Sequence, residues 1–151
     1  MLEIGDQAPE FSARDDQDNE VSLSGLLQSG PLILYFYPAD FTPVCTAEAC
    51  GIRDLHEDLS GIDIQVVGVS PQNSSSHQRF KERYELPFRL ICDVQKSLIK
   101  LYGCNGPLGM GVRRATYLIN QEGIIEDRVV SDLFAGSHIS FIKQILEQQA
   151  S

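Results

Sequence analysis

Residues 32–37, LILYFY, form an unbroken apolar run set between Pro31 and Pro38. Without alternation, such a run reads as a strand covered on both faces. A second buried strand is expected at 62–70 (IDIQVVGVS) and a third strand at 88–92 (FRLIC). Residues 43–59, between the first two, instead repeat their apolar positions at helical spacing. At about 100° per residue, Cys45, Ala49, Ile52, Leu55, His56 and Leu59 share one side, while Asp54, Glu57 and Asp58 take the other. The stretch 73–84 reads as a helix behind an Asn/Ser cap, closed by Leu86-Pro87. Asp93 can cap a short helix running to Leu101, and 104–111 (CNGPLGMG) is a glycine-rich loop.

Farther on, ATYLIN and IIEDRVV are joined by Gln121-Glu122-Gly123, a hairpin signal. A last helix is expected over 140–148, with His138 near its start as a surface residue. Near the beginning, DDQDNE (15–20) is a charged turn whose flanks can pair as a second hairpin. Strands alternating with helices imply an α/β fold. Its mixed central sheet is flanked by helices, gains an antiparallel edge from the late hairpin, and carries an N-terminal hairpin extension. Repeats, low-complexity tracts and long linkers are absent, so residues 1–151 are read as one domain.

Composition narrows the function. The chain has 151 residues, enough for a core that needs no disulfide staples. A formal net charge of -9 argues against phosphate backbones and anionic lipid as partners. The longest apolar run is far short of the roughly 18 residues a membrane span needs. The start, MLEIGDQAPEF, lacks the basic and apolar regions of a secretory signal, so a cytoplasmic location is expected. In a reducing compartment, four cysteines point to metal or redox chemistry rather than structural bridges.

TPVCTAEAC (42–50) carries that chemistry. Cys45 falls in the first turn of a helix, on its core side, where a strand has just ended and open α/β sheets place their sites. The helix dipole and unpaired first-turn N–H groups favour the thiolate, which is the nucleophile. Pro43 suits the first turn, and Thr42 can act as N-cap or aim its hydroxyl at the sulfur. Cys50 lies about 140° round the helix and about 7.5 Å along it from Cys45. A disulfide requires Cα atoms within roughly 7 Å and converging Cβ vectors. Joining the two sulfurs therefore requires the helix start to unwind.

Pro38-x-x-x-Thr42-x-x-Cys45 resembles the active-site signature of the peroxiredoxins, and YFYPADFTPVCTAEACGIRD resembles their peroxiredoxin Q, or bacterioferritin comigratory protein, branch. Arg114-Ala115-Thr116 is similar to that family's Arg-x-Thr strand, and IGDQAPEFSA, VVGVS and ICD also match. The resemblance covers nearly the whole chain. It implies a thioredoxin-like fold and a thiol peroxidase without metal, flavin or haem. It further implies Cys45 as the peroxidatic cysteine, Cys50 as the resolving one, Thr42 and Arg114 as polarising groups, Pro38 as a shield and Glu48 as a residue orienting Arg114. Hydrogen peroxide and organic hydroperoxides are the implied substrates and thioredoxin, or a similar dithiol, the reductant. A monomer is favoured, with a dimer left open. Two positions depart from the pattern: Val44 stands where the family usually has Gly, and Phe41 where a small or acidic residue is common. Both hint at organic substrates.

Three rival readings differ in class. A metal module built on Cys45, Cys50, Cys92 and Cys104 lacks any C-x-x-C pair. A protein thiol–disulfide oxidoreductase lacks the same motif. A silent binding protein on this scaffold would consume no peroxide. His56 and His77 read as packing residues. Cys92 reads as core, and Cys104 is a candidate reserve resolving thiol. Strand alternation leaves Arg113 and Arg114 undecided, and the family pattern selects Arg114.

Overall fold

A computed structural model describes residues 1–150. The apolar run becomes β3 (Leu32–Phe36), with every residue buried. It is the middle of a five-stranded sheet whose other strands are β4 (Gln65–Ser70), β5 (Arg89–Cys92), β6 (Ala115–Ile119) and β7 (Ile125–Val130), in the order β5-β4-β3-β6-β7. β3, β4 and β5 run parallel, while β6 and β7 are antiparallel, as the hairpin signal requires. In that hairpin Asn120 Oδ1 accepts from the amides of Glu122 and Ile124, and Gly123 supplies the positive φ of 83°. The N-terminal extension is the two-stranded pair β1 (Ser12–Arg14) and β2 (Glu20–Ser22), followed by α1 (Leu23–Leu27).

Alternation along β3 divides the core. Leu32, Leu34 and Phe36 face one side, together with Tyr102, Cys104 and Tyr117. Ile33 and Tyr35 face the other, with Tyr37, Cys45, Ile52 and Ile142. That second side is covered by α2 (Pro43–Gly61), α3 (Ser74–Tyr84) and α5 (Ala135–Ala150), while α4 (Ser97–Leu101) lies on the first. Each large apolar side chain taken out of water here contributes about 1.5–3 kcal/mol. Asn73 caps α3 through Ser76 N, and Asp93 accepts from the amides of Leu98 and Ile99 at 3.1 and 2.7 Å. The stop of α3 is Glu85, left-handed at φ 53°, one residue before the expected Leu86-Pro87.

Three expectations change. The last helix begins at Ala135 rather than 140, because tertiary packing overrides the weak helix formers Gly136 and Ser137. His138 is consequently inside α5 and fully buried, not on the surface. Asp15 and Asp16 of the charged turn are buried as well. Asp16 accepts from Lys81 Nζ and Leu90 N, and Asp15 accepts from the amides of Gln17 and Asn19. The Asp15 bonds close the turn, and the Asp16 bonds tie the N-terminal hairpin to α3 and the main sheet.

Candidate active site

Chain between β3 and α2 carries the signature. Tyr37 N donates to Val69 O, holding the exit from β3 against β4. Asp40 is buried and accepts from Tyr37 Oη at 2.6 Å and Ser76 Oγ at 2.7 Å, with His77 Nδ1 at 2.7 Å. Burial opposes its charge, but the bonds from His77, Tyr37 and Ser76 outweigh that and hold the carboxyl below its usual range. His77 Nε2 in turn meets Ile91 O at 3.0 Å. The loop is thereby fastened to α3 and β5. His77 is packed, as expected, and is also hydrogen-bonded at both ring nitrogens.

Phe41 follows with a positive φ of 66° and an exposed ring, edge-on to Phe80 at 5.2 Å and near Tyr84 at 6.2 Å. A cavity of about 540 Å³ lies there, lined by Phe41, Arg79, Glu82, Arg83 and Tyr84. Thr42 occupies the N-cap position, yet its side chain makes no capping bond. Its hydroxyl donates to Ala39 O at 3.1 Å. Pro43 opens the helix, and the first-turn amides of Val44 and Cys45 precede any helical acceptor. Pro38 is half-buried, and its carbonyl accepts from Ser70 Oγ.

Cys45 is 1 % exposed on the inner face of α2. Arg114, immediately before β6, reaches it from across the sheet, with Nη2 donating to Cys45 Sγ at 3.2 Å and Nη1 to Glu48 Oε1 at 2.8 Å. The arginine is fixed from behind: its backbone N and its Nε donate to Asp132 Oδ1 and O, at 3.0 and 3.4 Å. Of the two adjacent arginines, the one that the family pattern selects is the one at the thiol. Arg114 points inward, while half-buried Arg113 pairs with Asp132 Oδ2 at 2.9 Å. Glu48 is fully buried, three residues from Cys45 on the same helix face. Burial pushes its carboxyl up to about 7 against the opposing charge of Arg114.

Cys50 is half-buried on the same unbroken helix, 3.7 Å from Arg53 Nη1, and all four cysteines are free thiols. The other two stand apart from this site. Cys104 is fully buried in the opposite core layer, beside Tyr117 Oη at 3.8 Å, and burial raises its thiol to about 11. Nothing in that placement supports a reserve resolving role. Cys92 is half-buried rather than core, donates to Asp15 O at 3.6 Å, and is raised to about 11 by burial and by Asp16 and Asp15.

His138, expected at the surface, and Thr116, given no role in the sequence, also belong to the site. His138 Nδ1 is 2.8 Å from Thr116 Oγ1 and 3.4 Å from Glu48 Oε2. A signal existed: 138, 141, 142 and 145 follow helical spacing, with Phe141, Ile142 and Ile145 as the apolar members.

A guanidinium shared between a buried thiol at a helix start and a buried glutamate, on a sheet of this order, defines a thiol-based oxidoreductase of the thioredoxin-like class. The comparisons narrow the class. The model of the AhpC/TSA family matches residues 4–128. Peroxiredoxin Bcp of Bacillus subtilis is 41% identical over 128 residues, 81% of this chain and 81% of its own. The chloroplastic peroxiredoxin Q of Oryza sativa subsp. japonica is 35% identical over 144 residues, 95% of this chain and 66% of that relative. The crystal structure of peroxidoxin BcpB from Mycobacterium tuberculosis superposes with a TM-score of 0.90 at 30% identity, covering 98% of both chains. The chain belongs to the AhpC/TSA family and is a peroxiredoxin, a thiol peroxidase, similar to the members named Bcp and peroxiredoxin Q. Among the described residues no helix is long and apolar enough to cross a membrane.

Proposed function

We propose that the chain reduces hydrogen peroxide and organic hydroperoxides through a sulfenic acid at Cys45, resolved by Cys50 and recycled by thioredoxin or a similar dithiol. The observation that carries this reading is the 3.2 Å contact from Arg114 Nη2 to Cys45 Sγ at the start of α2. A fixed cation and uncapped helix amides face the sulfur and remain in place for the charge that moves onto the peroxide.

The Cys45 thiolate attacks one peroxide oxygen in line, forming an S–O bond as the O–O bond breaks. The other oxygen leaves as hydroxide or alkoxide and takes a proton from solvent. Arg114 supplies permanent charge to that developing anion. Thr42, whose proton is engaged with Ala39 O, can accept the peroxide hydrogen and orient it. Pro38 limits water at the mouth. Organic hydroperoxides are supported by the aromatic cavity between Phe41 and Tyr84. Cys50 then attacks the sulfenic sulfur, releasing water and forming the disulfide. A dithiol reduces it by exchange, becoming a disulfide itself. Because α2 is continuous through both cysteines, its start unwinds for that step.

Mass-spectrometric mapping after one equivalent of peroxide is expected to show Cys45 joined to Cys50. Cys45→Ser should abolish peroxide consumption. Cys50→Ser should accumulate Cys45 sulfenic acid and lose turnover with thioredoxin. A Cys50→Ser protein that cycles at the original rate would remove Cys50 from the mechanism.

A further inference from the structure

Four buried side chains behind the sulfur form one polar cluster: Arg114, Glu48, His138 and Thr116, the first three at 4%, 0% and 0% exposure. Arg114 and Thr116 are two apart at the start of β6, so their side chains emerge on the same face. Arg114 meets α2, and Thr116 meets α5. Gly51 lets the two helices approach, since a Cβ there would run into the side chain of Ile139, next in sequence to His138.

Hydrogen-bond bookkeeping fixes one tautomer. His138 Nε2 lies 2.9 Å from the carbonyl of Ser131, which can only accept, so Nε2 carries a hydrogen. In the neutral ring Nδ1 is then a bare lone pair that accepts one hydrogen, from Thr116 Oγ1 or from a protonated Glu48, the hydroxyl being able to rotate and serve as acceptor instead. Glu48 Oε2 faces that nitrogen at 3.4 Å and has no hydrogen-bond partner. A charged carboxylate oxygen opposite a lone pair, buried and without a donor, is a costly arrangement. One proton between them removes the conflict, on either atom.

We propose that Glu48 Oε2 and His138 Nδ1 share one proton, and that this proton releases the charge of Arg114 to the Cys45 sulfur. His138 is thereby a positioning residue acting through Glu48 and Arg114. This rests on Cys45 being the reacting thiol. With the proton in place, the Glu48–His138 pair is neutral in sum, and the arginine balances the thiolate alone. Without it, two buried anions compete for one guanidinium, and the thiol form of Cys45 gains. Burial raises the Glu48 carboxyl to about 7, while burial and the charge of Arg114 lower the His138 ring, so the glutamate oxygen is the proton's main seat near neutrality. The other groups facing the pair are Asp132, which favours a charged His138, and Tyr35 on β3, register partner of Thr116, whose buried hydroxyl has no hydrogen bond. Asp40 acts on Tyr35 in turn.

The test reads thiolate absorbance of Cys45 at neutral pH in a Cys50→Ser background, where Cys92 and Cys104, both near 11, stay silent. His138→Asn is expected to lower the thiolate-to-thiol ratio by on the order of tenfold, one pH unit's worth. Glu48→Gln, which keeps an acceptor for Arg114 and removes the competing charge, should raise the ratio. In the Glu48→Gln background, His138→Asn should change nothing. An unchanged ratio in the single variant, or the same tenfold fall in both backgrounds, overturns the proposal. Nitrogen NMR of unsubstituted His138 gives an independent check. Nε2 should stay protonated, and Nδ1 should shift together with the Glu48 carboxyl carbon across the titration. Uncoupled titration of the two groups overturns it as well. None of these readouts uses peroxide, so failure of the peroxidase reading would appear separately, as a Cys45→Ser protein that still consumes peroxide.

Discussion

Arg114 serves two acceptors at once, Cys45 Sγ and Glu48 Oε1, through different nitrogens of one plane. A lysine offers the same charge from a single point on a flexible stem. Arg114→Lys is therefore expected to slow Cys45 oxidation by peroxide about 10²–10³-fold, the usual loss on removing one preorganised donor, with stopped-flow kinetics as the measurement. Neighbouring residues show how narrow such placement is. Arg113 has the same chemistry and is turned outward to Asp132. Phe41 adopts a left-handed backbone that costs a non-glycine residue about 1–2 kcal/mol, offset by ring contacts with Phe80 and Tyr84. That conformation turns the chain into the N-cap at Thr42.

α2 is the scaffold that holds Cys45 and, in the proposed cycle, also the element that opens for Cys50 to reach it. Its first turn is uncapped by any side chain, which lowers the cost of fraying. In that proposal Glu48 lies within the segment that unwinds and couples the opening to pH. Its carboxyl is raised to about 7 in the folded helix and returns toward its ordinary value of 4.5 once exposed. A raised group stabilises the folded form fully below the unfolded value and loses that contribution as pH rises to the folded one. Opening of the helix start should thus become easier between about pH 4.5 and 7, by of order 3 kcal/mol. Native-state hydrogen exchange of amides 45–50, corrected for intrinsic rates, measures this. In Glu48→Gln the same amides should show a flat opening free energy over that window.

Across the whole molecule, the sheet separates two chemistries. Redox groups lie on the side of α2 and α5, whereas Cys104 lies with Tyr102 and Tyr117 on the other. Cys104→Ser is expected to leave the Cys45–Cys50 disulfide and peroxide turnover unchanged. The same substitution should cost about 1–3 kcal/mol in urea denaturation, because a hydroxyl is a poorer occupant of that apolar layer. The N-terminal hairpin contributes through Asp16, whose buried carboxylate joins it to α3 and β5, and through the backbone bridge from Asp15 to Ile91. Its role in the site is indirect, since those two elements also hold the 38–42 loop through His77.

The strands, most of the helices, both hairpins and the thiol at a helix start were legible in the sequence because each rests on local periodicity, turn chemistry or a short motif. Cys45 and Thr42 could be named for the same reason, whereas Arg114 was selected over Arg113 by the resemblance to the family's Arg-x-Thr strand. Tertiary structure alone decided what depends on groups distant along the chain. It turned Arg114 rather than Arg113 inward, engaged the Thr42 hydroxyl with Ala39, put Cys104 out of reach behind a sheet, and drew His138 into the core by starting α5 at Ala135. Glu48 shows the boundary most clearly. Its place on a helix face follows from spacing, but its proton affinity follows from burial and from Arg114, 66 residues away.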